Sequence, residues 1–175
     1  MTEFGTESRP TSASGLTPPQ AIQAERAVLA AMMLGNESVG RAIESIGERP
    51  FYRTAHQKIF DAVVALYGRS EPADLITVSE ELRRRGDLEA IGGAAYLAGV
   101  FEEATTAANL EVHAKIVSEK AVLRQLIKAT TEIQQECYSA PDETAAILDR
   151  AEQRIFEITD DRVRQGFVSV KELMM

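Results

Sequence analysis

NLEVHAKIVSEKAVLRQLIKATTEIQQECYS, residues 109–139, contains neither Gly nor Pro. Its apolar residues Val112, Ile116, Leu123, Leu126, Ile127, Ile133 and Cys137 collect on one stripe of a 3.6-residue wheel, with Lys115, Lys128, Gln135 and Glu136 mostly off it. At ~1.5 Å per residue such a helix is about 45 Å long, whereas a compact domain of about 100 residues has a radius of gyration near 13 Å. One end of the helix therefore packs inside a small globule and the other projects from it. Beyond Ala140-Pro141-Asp142 a second amphipathic run follows, ETAAILDRAEQRIFEIT, residues 143–159. Its Leu148, Ala151, Ile155 and Ile158 are spaced 3, 4 and 3, which predicts a short a/d seam facing Leu126, Ile133 and Cys137. The connection is short, so the two helices lie antiparallel. The pattern predicts an all-α chain: a small globular helical head over residues 17–108, and a protruding antiparallel helical hairpin over 109–159.

Upstream, residues 1–16 are rich in Ser, Thr, Gly and Pro and read as a disordered tail. Thr17-Pro18-Pro19-Gln20 has the form of a capping box that opens a helix with Ile22, Val28, Leu29, Met32 and Met33 inward, ended by Gly35-Asn36. A second helix carries Val39, Ala42, Ile43 and Ile46 and stops at Gly47, and Pro50-Phe51-Tyr52 makes an apolar connection. A third spans about Thr54 to Tyr67, with Ile59, Phe60, Val63, Leu66 and Tyr67 inward and Gly68 as its stop. Thr77-Val78-Ser79-Glu80 reads as another capping box, opening a helix that ends at Gly86. Gly92-Gly93 turns the chain into a helix over Ala94–Glu103 with Leu97, Val100, Phe101 and Ala104 on one side. Residues 160–175 read as a polar linker followed by a short apolar end.

Hydrophobic residues make up 45% of the 175 residues, enough for a core, and the formal net charge is −8. The acidity is spread, about −4 over residues 18–109 and about −3 over 110–159. This is not the electrostatic footprint of a nucleic-acid binder, so single-stranded DNA binding is expected to be negligible. No apolar run approaches a membrane span and no signal peptide is visible. The single cysteine, Cys137, excludes an intramolecular disulfide, fits a reducing cytoplasm, and reads as a small buried hydrophobe rather than a reactive thiol.

The chain shows no catalytic, cofactor-binding or metal site. There is no Gly-Lys dipeptide and hence no phosphate loop, no G-x-G-x-x-G and no G-x-S-x-G. His56 and His113 lack a second His or Cys at ligand spacing and read as helix-surface or core-edge residues. The pairs Glu80-Glu81, Glu102-Glu103 and Asp160-Asp161 point about 100° apart on a helix and read as solvated charge. Arg83, Arg84 and Arg85 fan around their helix and complement its C-terminal dipole, rather than forming a DNA-reading stripe.

Three stretches carry a family resemblance. PPQAIQAERAVLAAMML, FYRTAHQKIFDAVVALYGRSEPADLITVSEELRRRGDLEAIGGAAYL and TAANLEVHAKIVSEKAVLRQLI together resemble the N-terminal domain of the bacterial replicative hexameric DNA helicases, the DnaB-type family, over about residues 18–160. The stretch Ser45–Pro50 departs from the family pattern. The resemblance implies a non-catalytic collar. Its hairpins pair between subunits, six copies form a trimer of dimers, and the collar docks the helicase-binding domain of primase; a helicase loader is a further candidate partner. ATP and Mg chemistry would belong to a C-terminal RecA-like motor domain absent from this sequence, with Phe167 to Met175 beginning the linker to it. The rival readings are a free-standing helical adaptor or helicase-loading partner and, from another class, a small acidic helical enzyme. Phe156 lies about 100° around its helix from Ile155, off the seam, and Val117 is off the main stripe of the long helix. With no expected intrachain partner, these two are the interface candidates, Phe156 through an isologous contact between two copies.

Overall fold

The computed structural model describes residues 16–46, 50–103, 107–139 and 143–172, with side chains described up to 160. Among these residues the chain is all-helical: α1 Ile22–Met32, α2 Asn36–Ile46, α3 Thr54–Gly68, α4 Leu75–Arg85, α5 Gly93–Phe101, α6 Leu110–Ser139 and α7 Thr144–Glu172. The tail over residues 1–15, Gly47, Ala104, the break at 140–142 and residues 173–175 lie outside the described residues.

α1 runs through the middle of the head. Val28, Leu29 and Met32 are fully buried in a core shared with Val39 and Ala42 of α2, Ile59 and Val63 of α3 and Leu97 of α5, and Leu82 of α4 joins that core from the far side of α3 and α5. The first half of α6 closes the same core with Leu110, Ala114 and Val117. Phe51, between α2 and α3, plugs it with its ring 5.2 Å from that of Phe60. Tyr67, expected inward, is 39% exposed. It lies one residue beyond Leu66, which takes the inward position.

Two helix starts differ from expectation. α1 begins at Ile22, not at Thr17, and Ala21 caps it with no side-chain bond. A residue preceding proline is driven out of the α region, so Pro18-Pro19 holds Thr17 and Pro18 extended and delays the turn. α4 is capped three residues before the expected cap, Thr77. Asp74 accepts the N–H groups of Ile76 and Thr77, each at 2.9 Å, and the Thr77 hydroxyl accepts the Asp74 N–H at 3.0 Å. Thr77 is thus the third residue of the box and Asp74 its cap, since Asp ranks above Thr at that position. α4 ends as read, at Gly86 with φ +75°, a conformation that costs a residue with a Cβ.

The hairpin is present, but its packing is rotated. On α6 the head-facing stripe is Leu110, Ala114, Val117, Ala121 and Arg124, spaced 4, 3, 4 and 3. Val112, Ile116, Leu123 and Ile127, expected inward, are exposed, Ile127 by 52%. Val117, expected free, is 1% exposed inside the head core. On α7 the residues turned toward α6 are Ile147, Ala151, Arg154 and Ile158. Ala151 and Ile158 belong to the expected seam, but Leu148 is 58% exposed and Ile155 is exposed as well. Cys137, expected buried, is exposed. Small residues and charges share the seam with Ile147 and Ile158, and Leu126 and Ile133 of α6, expected in the seam, are half-buried. Ala129 is buried there, Glu136 accepts from Arg154 at 2.5 Å and from Arg150 at 3.2 Å, and Glu132 lies 3.8 Å from Arg154. Residues 160–172, expected as linker, continue α7.

Candidate interaction surface

The hairpin carries exposed large apolar side chains on both helices, among them Leu123 and Ile127 from α6, and Leu148, Ile155 and Phe156 from α7. On a wheel centred on the α7 seam, Leu148 and Ile155 lie a quarter-turn off it and Phe156 lies opposite it. Phe156 is 68% exposed and, with Ala151, Glu152, Ile155 and Thr159, lines an open groove of about 490 Å³. An apolar row of this kind buries itself only against another surface. Of the two expected interface residues, Phe156 stands free and Val117 does not.

The charged groups singled out in the sequence are mostly engaged within the head. Glu81, expected to be solvated, is buried and binds Arg84 at 2.7 Å, Arg85 at 2.6 Å and Arg69 at 2.9 Å. The hydrogen bonds from Arg84 and Arg85, with that from Arg69, hold its carboxyl down at about 2. Arg83 pairs with Glu80. These arginines neutralise their own helix and the α3–α4 turn.

His56 is fully buried, not at a surface or core edge. Its Nδ1–H donates to Glu25 Oε2 at 2.6 Å, since a carboxylate only accepts, and its Nε2 shares a hydrogen bond with the Tyr96 hydroxyl at 2.7 Å, which also accepts from Arg53 at 3.2 Å. This assignment of protons follows from the network. Glu25, 1% exposed, also accepts the N–H groups of Tyr52 at 2.7 Å and Arg53 at 3.4 Å, so α1 supplies the cap that the start of α3 lacks on its own. Burial alone would raise the Glu25 carboxyl. The bond from His56 and the two backbone N–H groups outweigh it and leave it below the usual carboxylate range. Sequence reading missed Glu25. The signal was its position three and seven residues before Val28 and Met32, on the inward stripe of α1. His56 stands likewise three residues before Ile59. Both ring nitrogens of His56 are occupied, and no cluster of three metal-ligating side chains occurs among the described residues.

Comparison with known proteins agrees with this architecture. Residues 17–119 match the model of the DnaB-like helicase N-terminal domain. The chain is 40% identical over 167 residues to the replicative DNA helicase DnaB of Mycobacterium leprae, covering 94% of this chain and 28% of that protein. It is 42% identical over 158 residues to that of Geobacillus stearothermophilus, covering 90% of this chain and 35% of that protein. The crystal structure of the N-terminal domain of DnaB helicase from Mycobacterium tuberculosis superposes with a TM-score of 0.77 at 43% identity, over 81% of this chain and 99% of that one. The chain thus spans about a third or less of these full-length relatives. With its helical head, its continuous α6 and its hairpin, the chain belongs to the family of DnaB-like replicative helicase N-terminal domains.

Proposed function

We propose that this domain is a non-catalytic collar of a replicative DNA helicase, acting in the cytoplasm to bring subunits together and to dock primase. The observation that carries this is the reversed packing of the hairpin. Charges and alanines share its seam with Ile147 and Ile158, and the large apolar Leu148, Ile155 and Phe156 face out. In this reading two hairpins pair about a two-fold axis through Phe156, Ile155 and Leu148, and three such dimers form the ring. ATP hydrolysis and translocation belong to a motor domain outside this sequence, and DNA touches that motor rather than this acidic collar. Primase, through its helicase-binding domain, docks on the assembled collar, and a loader is a further partner of the same ring.

The test is mass by light scattering over a concentration series. The parent chain is expected to form dimers at tens of micromolar, and Phe156→Asp is expected to be monomeric with its helical circular dichroism intact. A mutant that associates like the parent places the contact elsewhere. Titration of the dimer with isolated primase helicase-binding domain tests the docking, and no heat or mass change would remove primase from the reading.

A further inference from the structure

The stripe by which α6 touches the head ends at Arg124. Leu110, Ala114 and Val117 are buried, Ala121 and Arg124 are half-buried, and the next position in the series, Lys128, is exposed. Arg124 ends the stripe by reaching across to two loops. Its Nη1 donates to the Pro19 carbonyl at 2.7 Å and its Nη2 to the Pro50 carbonyl at 2.5 Å. Its guanidinium carbon lies 5.7 Å from the centre of the Tyr52 ring. The Pro50–Tyr52 loop cannot yield freely, because the Tyr52 N–H is held by Glu25 on its other side at 2.7 Å. Both acceptor carbonyls belong to prolines, whose φ is fixed by the ring.

We propose that Arg124 is a positioning residue that sets the angle at which the hairpin leaves the head. α6 is unbroken from Leu110 to Ser139, so the hairpin's direction is the direction of α6, and that depends on how long a seat the head gives it. With Arg124 in place the seat runs from residue 110 to 124, about 21 Å, and the free arm to Ser139 is about 22 Å. Without it the stripe ends at the half-buried Ala121: the seat shrinks to about 17 Å and the arm grows to about 27 Å. Lysine cannot replace it, because a single ammonium lacks the planar fork that reaches two carbonyls and stacks on a ring. The competing determinant is the contact between α7 and α2. The inference stands on the geometry of the head alone and does not depend on what the hairpin pairs with.

The test uses the chain's own chemistry. Cys137, its only cysteine, is exposed near the end of α6. Asp61→Cys, on the exposed side of α3, supplies a second site for spin labels. Distances are read by pulsed electron resonance, with labelled chain diluted in unlabelled chain so that only intrachain pairs count. The parent is expected to give one narrow distance distribution. Arg124→Met is expected to widen it by about a quarter, in line with the shortened seat, and Arg124→Lys to fall between. A control pair within the head, Asp61→Cys with Glu37→Cys in a Cys137→Ser background, is expected to stay unchanged in all three. If Arg124→Met superimposes on the parent, the α7–α2 contact sets the angle and the proposal is overturned. If the control pair widens as well, Arg124 merely holds the head together, and the proposal is again overturned.

Discussion

The head and the hairpin solve the same packing problem in opposite ways. In the head, large aliphatic side chains face one another: Leu29, Met32, Ile59, Leu82 and Leu97 are all fully buried. Its charged groups that do go inside, Glu25 and Glu81, are surrounded by donors. In the hairpin Leu123, Ile127, Leu148 and Ile155 face out, and contact between the helices rests on the half-buried Ile147 and Ile158 together with Ala129, Ala151 and the Arg150, Arg154, Glu132 and Glu136 group. Burial of a Leu or Ile side chain contributes about 1.5–3 kcal/mol, while a partly exposed ion pair contributes about 0–1 kcal/mol. The head therefore holds its shape by itself, and the hairpin is the region whose stability has most to gain from a neighbour.

The largest effect that tests this contrast is in the head. Leu29→Ala empties a fully enclosed site at the crossing of α1 with α2 and α3, and is expected to cost about 2–5 kcal/mol. Chemical denaturation followed by circular dichroism measures it. A loss below about 1 kcal/mol would mean that the head repacks easily and that its contrast with the hairpin is overdrawn.

How far the sequence disclosed these two regions follows from the same physics. Helix positions and the hairpin were legible, because Gly86, Gly92 and the uninterrupted run 110–139 leave few alternatives. The rotation of the hairpin was not. α6 carries two stripes at helical spacing, one large (Val112, Ile116, Leu123, Ile127) and one small (Leu110, Ala114, Val117, Ala121). Weighting by hydrophobic size selects the first. Close approach to α1 and α2 selects the second, since small side chains let helix axes come together. The same bias misplaced Val117 and Leu148. Phe156 was placed correctly because a residue opposite the seam stays outside under either rotation. The buried polar group was half-legible: an acid on the inward stripe of α1 and a histidine on that of α3 imply a partnership, but only the fold shows that they meet.

The second effect separates the regions by pH. Glu25 is held below its ordinary value in the folded head, so its contribution is fully present above the unfolded carboxylate pKa of about 4.5 and is lost as pH falls through the folded value. Glu81, at about 2, contributes in the same direction over the window from about 4.5 to about 2. Acid is therefore expected to loosen the head progressively below pH 4.5. Glu25→Gln is expected to flatten part of that dependence and to destabilise the head at neutral pH, because the amide presents an N–H₂ where a carboxylate accepts from His56 and two backbone groups. Denaturation midpoints between pH 3 and 7 measure it. Parallel slopes in mutant and parent would show that Glu25 titrates alike folded and unfolded.

The smallest expected effect bears most directly on the comparison. A seam leucine truncated to alanine costs about 2–5 kcal/mol, and a surface one within about 0.5 kcal/mol. Leu148 sits at a seam position by spacing and outside by structure, so Leu148→Ala decides between the two. The hairpin's local stability is read from amide exchange over residues 125–160, at a protein concentration low enough to keep the chain monomeric. No measurable change is expected there, and the head is expected to be unaffected as well. Repeating the measurement at tens of micromolar adds a second condition. If Leu148 belongs to the surface that a second copy covers, the mutant loses protection relative to the parent only in this concentrated sample. A loss of two kcal/mol or more in the dilute sample would put Leu148 back in the seam. The hairpin would then be an ordinary apolar one like the head, and its outward Phe156 would be left as a lone surface aromatic.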